Sequence, residues 1–89
     1  MTYILITHGV ADFDSWQSAF NDAAAMRHAA GEKSAQIFRD AADPNLITGL
    51  FEWDKYENAR EYFESTRWKT AMQETGVTSA PKITFLDGV

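Results

Sequence analysis

Four short runs rich in β-branched and aromatic residues, separated twice by stretches with helical apolar spacing, predict an α+β fold in the order β-α-β-β-α-β. Cap residues support that division: Asp12 and Ser65 stand where helices should start, and Gly31 and Gly76 where they should stop. At 89 residues, without repeats, linkers or low-complexity stretches, the chain reads as a single domain over 1–89.

Tyr3-Ile4-Leu5-Ile6-Thr7-His8 reads as the first strand, closed by Gly9. Asp12 then caps a helix whose apolar stripe is Phe13, Trp16, Phe20, Ala23 and Ala24, with Asp14 favouring the positive end of the helix dipole. Ser34 to Arg39 forms a second strand, followed by the turn-rich Asp40-Ala41-Ala42-Asp43-Pro44-Asn45. Leu46 to Trp53 is the third strand. Asp54 with Glu57 has the spacing of a capping box, opening a helix whose inner face is Tyr56, Ala59, Tyr62 and Phe63. Ser65 caps a further turn or two carrying Trp68, Ala71 and Met72, and Lys82 to Leu86 completes the set. This is the split βαβ order of the ferredoxin-like fold. Right-handed crossovers place the first and third strands at the centre of an antiparallel four-stranded sheet, with helices on one face.

The central strands are apolar on both faces, in Tyr3-Ile4-Leu5-Ile6 and again in Leu46-Ile47-Thr48-Gly49-Leu50-Phe51. Two helices cover only one of those faces, and the other would be an apolar patch larger than soluble monomers usually expose. The economical cover is the same face of a second copy about a twofold axis. A small domain also needs a staple; the chain has no cysteine, and His8 and His28 lack metal-ligand spacing. A homodimer through sheet faces is therefore the expected partner. The net charge of −5, with no basic run, argues against nucleic acid. No signal-peptide start or membrane-length apolar stretch is present, so the expected location is cytoplasmic.

At this point the chain resembles the dimeric α+β barrel superfamily, which includes antibiotic-biosynthesis monooxygenases, heme-degrading monooxygenases and cyclase- or isomerase-like proteins. The resemblance rests on the element order, on Val10-Ala11-Asp12-Phe13-Asp14-Ser15-Trp16, on Leu50-Phe51-Glu52-Trp53-Asp54, and on Phe63-Glu64-Ser65-Thr66-Arg67-Trp68-Lys69. It implies two packed sheets and a pocket between each sheet and its own helices. Heme-degrading members use an Asn on the first strand, and a Trp and a ligating His on the second helical segment. Here Tyr62 and Met72 fall at those helical positions, and the first strand offers Thr7 or His8. Heme is disfavoured, and no cofactor is expected.

No phosphate loop, nucleophile elbow or H-E-x-x-H is present. The candidate catalytic residues are His8, Arg27 and Tyr62. His8 could be a general base or a strand-end histidine at a solvated rim. Arg27 falls at the centre of the first helix's apolar stripe, where it either snorkels past the helix end or points at an anionic ligand. Tyr62 carries a hydroxyl that needs a partner if buried. Trp16, Phe20, Trp53 and Trp68 are the candidate ligand-binding residues, with plain core packing as the alternative for the tryptophans. Arg39 reads as an edge-strand charge that discourages aggregation, and His28 as an exposed last-turn residue.

The resemblance implies a cofactor-independent monooxygenase, or a cyclase or isomerase, acting on a small aromatic or polyketide-like substrate. His8 would be the base, Arg27 or Tyr62 would stabilise the enolate oxygen and Trp16 and Trp68 would hold the ring, with Trp16, Arg27 and His8 expected on the helix-facing side of the sheet. The alternative is a non-catalytic ligand-binding or stress-related dimer, or a purely structural association module. A cavity of a few hundred Å³ separates the ligand-binding readings from the last. Light scattering at micromolar concentration should report a mass near twice the 10.0 kDa of one chain; a stable single-chain species would rule the dimer out.

Overall fold

The computed structural model describes every residue from Met1 to Val89. The elements are β1 (Thr2–Gly9), α1 (Phe13–Asp22), α2 (Ala24–Ala30), β2 (Glu32–Arg39), β3 (Leu46–Trp53), α3 (Tyr56–Glu64), α4 (Thr66–Glu74) and β4 (Lys82–Asp87). They give the expected order, with each helical segment broken once. The sheet runs β2-β3-β1-β4 with every neighbouring pair antiparallel, so β1 and β3 are central. No helix is long and apolar enough to cross a membrane.

Register decides which residues face the helices. Ile4 lies opposite Phe51, Ile6 opposite Gly49 and His8 opposite Ile47, and all six are buried. The alternate residues point to the opposite face, where Leu5 meets Leu50 and the Thr7 and Thr48 hydroxyls bond at 3.1 Å. That face is only half-buried and is flanked by the exposed Phe38 and Leu86. No helix of the chain covers it.

The helix caps form where local chemistry provides them. The Asp12 carboxylate accepts from the Ser15 amide at 3.1 Å, and the Ser65 hydroxyl accepts from the Trp68 amide at 3.2 Å. Three sequence expectations are corrected. The expected capping box does not form: Lys55 occupies the cap position, while Asp54 accepts from the Lys55 amide and the Asn58 side chain. The first helix is not continuous, because Ala23 leaves helical geometry between α1 and α2. Tyr56 is not on the inner face; it is exposed and meets Phe85 edge-on.

β2 begins two residues earlier than expected, with an irregularity between Glu32 and Ser34. A bulge adds one residue to a strand and rotates what precedes it. Here it turns Glu32 inward, opposite Trp53, while Ala35, Ile37 and Arg39 keep the inward parity farther along. Arg39 is less an idle edge charge than a packed one. Its guanidinium lies 4.0 Å over the Phe13 ring, and its Nε donates to the Pro44 carbonyl at 3.0 Å.

The core is a lattice of rings. Phe63 packs against Phe51, Trp53, Tyr62 and Trp68 at centroid distances of 6.0, 5.1, 5.1 and 5.2 Å. It is almost wholly buried and links both central-strand aromatics to α4. Phe63→Ala should destabilise the fold by about 3–5 kcal/mol, the usual cost of truncating a buried phenylalanine, as read from urea denaturation.

Candidate functional site

A cavity of about 80 Å³ lies between the sheet and the helices. Ile6, His8, Ile47 and Phe51 form its floor; Trp16, Phe20 and Arg27 wall one side, and Tyr62, Trp68 and Met72 the other. Its size falls well below the roughly 300–1,000 Å³ of most ligand pockets. A water needs about 10–15 Å³ on this scale, so the partly open cavity holds a few waters or one compact organic group. Helix packing runs from α1 to α2, α2 to α3 and α3 to α4. Ala19 on α1, Ala71 on α4 and Thr75 just beyond it also line the cavity.

Gly49 shapes the floor. A Cβ there would come within 2.6 Å of the Phe51 ring, so the absent side chain lets that ring lie across the strand.

His8 does not sit at a solvated rim. It is 4% exposed, faces the helices with Ile4 and Ile6, and meets Trp16 edge-on at 5.8 Å. Its Nδ1 lies 3.2 Å from the Gly9 carbonyl. A carbonyl only accepts, so Nδ1 carries the proton and Nε2 presents its lone pair. Nε2 has no protein partner, yet no buried side-chain nitrogen or oxygen is left unsatisfied; it therefore opens toward accessible space. Burial lowers the imidazole pKa, and the Gly9 bond opposes that only in part.

Arg27 neither snorkels out nor waits unpaired. It is 6% exposed, and its Nε donates to Glu32, itself 5% exposed, at 2.8 Å. Nη1 donates to the Phe20 carbonyl at 2.6 Å, and the guanidinium lies 3.6 Å over the Phe20 ring. Phe20 is in the last turn of α1, whose carbonyls lack intrahelical partners. One cation thus neutralises a buried carboxylate and caps a broken helix. Glu32 is the polar residue that the sequence reading overlooked. His28, more than half exposed at its side chain, stands 3.9 Å from the other Glu32 oxygen.

The remaining candidates divide. Trp16 and Phe20 stack at 5.0 Å on one wall, and Trp68 stands on the opposite wall. Tyr62 lines the cavity with a half-buried ring, and burial raises its pKa, offset partly by the Arg27 charge. It also walls an open outer groove beside Met26, Asn58 and Glu61. Trp53 does not line the cavity; it is fully buried, with its indole N–H on the Ala30 carbonyl at 3.2 Å.

His8 and Arg27 share the cavity without converging in it. His8 pairs with Ile47 and Glu32 with Trp53, which separates those two positions by about 20 Å of strand at 3.3 Å per residue. The side chains span the interval as a row: His8, Trp16, Phe20, Arg27. The cavity has a basic nitrogen at one end and a guanidinium at the other. No group of three or more His, Asp or Glu residues is placed to hold a metal. A heme does not fit a space of this size in which Met72 and Tyr62 fill the two helical positions.

The lowered His8 pKa has a consequence for stability. Between the unfolded value near 6.5 and the lower folded value, the unfolded chain binds a proton that the folded chain does not. The contribution is therefore complete above about pH 6.5 and is lost as the pH falls through that window. A histidine NMR titration should place the His8 midpoint below the ordinary value, and His8→Phe should flatten the acid-side slope of stability against pH.

No family model and no curated protein matches the sequence. Solved structures do match the fold. A protein provisionally assigned as an antibiotic biosynthesis monooxygenase from Bordetella bronchiseptica superposes with a TM-score of 0.80 at 13% identity, over 99% of this chain and 96% of that one. A similarly assigned protein from Caulobacter crescentus CB15 gives 0.77 at 21%, over 99% and 89%. SnoaB, a cofactor-independent oxygenase from Streptomyces nogalater, gives 0.74 at 12%, over 99% and 91%. This chain has the ferredoxin-like α+β fold of the antibiotic biosynthesis monooxygenase-like proteins.

Proposed function

We propose that the chain is a small-molecule-binding homodimer in which His8 acts as a general base, without a cofactor, on a compact aromatic or polyketide-like substrate. The observation that carries this reading is the His8 imidazole: buried in the cavity, held by its Nδ1–H on the Gly9 carbonyl, and presenting an unprotonated Nε2. Burial keeps it neutral near physiological pH, which is the form a base needs. The likeness of the fold to that of SnoaB, a cofactor-independent oxygenase, supports the choice of reaction.

In that reaction Nε2 takes a proton from a phenolic O–H, or one of the two hydrogens of an acidic CH2, so that the carbon to be oxidised keeps a hydrogen. The resulting anion passes one electron to dioxygen, and the two radicals combine into a C–O bond as a peroxide anion. The His8 imidazolium returns its proton to give a hydroperoxide, and loss of water leaves a carbonyl. Carbon supplies all the electrons, so no external reductant enters. Arg27 stands at the far end of the ring row, so it and the Tyr62 hydroxyl would act as donors only to a substrate whose conjugated framework reaches that end. The dimer rests on the uncovered apolar sheet face.

A second reading, ligand binding without chemistry, is favoured by the separation of His8 from Arg27, whereas the small cavity counts toward a purely structural association module. Oxygen uptake with monocyclic phenols tests the two together. Wild-type uptake that falls at least about 100-fold in His8→Ala, the lower range for loss of a general base, is the expected result. Binding of the same phenols with no oxygen consumed would favour the second reading.

A further inference from the structure

Arg27 is the only cation lining the cavity, yet its charge is already answered. Glu32 lies behind it, buried, at 2.8 Å, and does not itself reach the cavity. Nε and Nη1 are committed to Glu32 and to the Phe20 carbonyl, and the Phe20 ring covers one guanidinium face. Nη2 has no protein partner. As no buried side-chain nitrogen is left unsatisfied, Nη2 is not fully enclosed, and Arg27 is one of the residues that line the cavity.

We infer that Glu32 is a specificity-determining residue: by cancelling the Arg27 charge from behind, it makes the Arg27 end of the cavity a site for a neutral carbonyl oxygen and sets it against carboxylates and other anions. This rests on the reading of the cavity as a ligand site and deepens it. A ketone or quinone oxygen takes a hydrogen bond from Nη2 and brings no charge into an apolar enclosure. A carboxylate takes the same bond, but must shed its hydration among apolar walls and lie near the Glu32 carboxylate. With the pair intact the end of the cavity is a polar donor with little net charge. With Glu32 neutral, it would become an anion site.

Acetophenone and benzoate have nearly the same size and shape, and differ in charge at neutral pH. Each is titrated into the protein while the Trp16 indole N–H and the Arg27 Nε–H are followed by NMR. Acetophenone should bind wild type at least about tenfold more tightly than benzoate, and Glu32→Gln should bring the two affinities level or reverse them. Equal or tighter binding of benzoate by wild type, or an unchanged ratio in Glu32→Gln, overturns the assignment. Should Glu32→Gln fail to fold, the paired replacement Arg27→Met with Glu32→Leu removes both charges together, a change that buried pairs often tolerate. It should weaken acetophenone about tenfold, the scale of one hydrogen bond from a charged donor; undiminished affinity overturns the donor role of Nη2. If neither probe perturbs the indole of wild type, the ligand-binding reading falls together with the role of Glu32. A preference for benzoate removes only the latter.

Discussion

Phe63 takes part in more ring pairs than any other residue. Phe51 and Trp53 lie beneath it on β3, Tyr62 beside it on α3 and Trp68 above it on α4. A domain of this size has too little interior to fill with many medium side chains, so a few large ones must reach from helix to sheet. The arrangement fixes how closely α3 and α4 approach the strands. It also explains where space is left over. Trp53, Tyr62 and Phe63 fill one end with rings, whereas the small residues Ala19, Ala71 and Thr75 line the cavity. The cavity is the part of the helix–sheet gap that no ring fills.

The second constraint is electrostatic. Arg27 and Glu32 are the one ion pair that the fold takes out of water; the Arg60–Glu64 pair stays exposed. A buried pair rarely adds net stability, but losing either partner strands a charge. The bulge near Lys33, the break at Ala23 and the Phe20 carbonyl all meet at this pair. It therefore locks local geometry more than it strengthens the whole. In the same way, the Gly9 carbonyl decides which imidazole nitrogen of His8 is available.

The sequence made legible what local chemistry controls. Asp12 and Ser65 cap because a short polar side chain reaches an amide three residues on, and β3 was bounded correctly by turn residues on either side. Asp54 misled because its carboxylate found the next amide and Asn58 before it could act as a cap. The break at Ala23 lies in a run of alanines, the best of helix formers, so propensity argued for continuity. At the break Arg27 donates to the Phe20 carbonyl, a side-chain contact that propensity does not register. For His8 the parity with Ile4 and Ile6 was readable, but both faces of β1 are apolar and alternation could not say which one met the helices. Glu32 had a usable signal that went unread. A cation on an apolar stripe demands a counterion, and Glu32 is the first acidic residue after Arg27.

The edge-on contact between His8 and Trp16 gives the molecule an optical property. An imidazolium beside an indole quenches its emission, whereas a neutral imidazole does so far less. Trp53 and Trp68 both lean on Phe63, but Trp16 stands apart with His8 and Phe20. Its light therefore reports on one end of the cavity alone. Protonation at His8, or a guest lodged beside it, would be visible without any label attached to the chain.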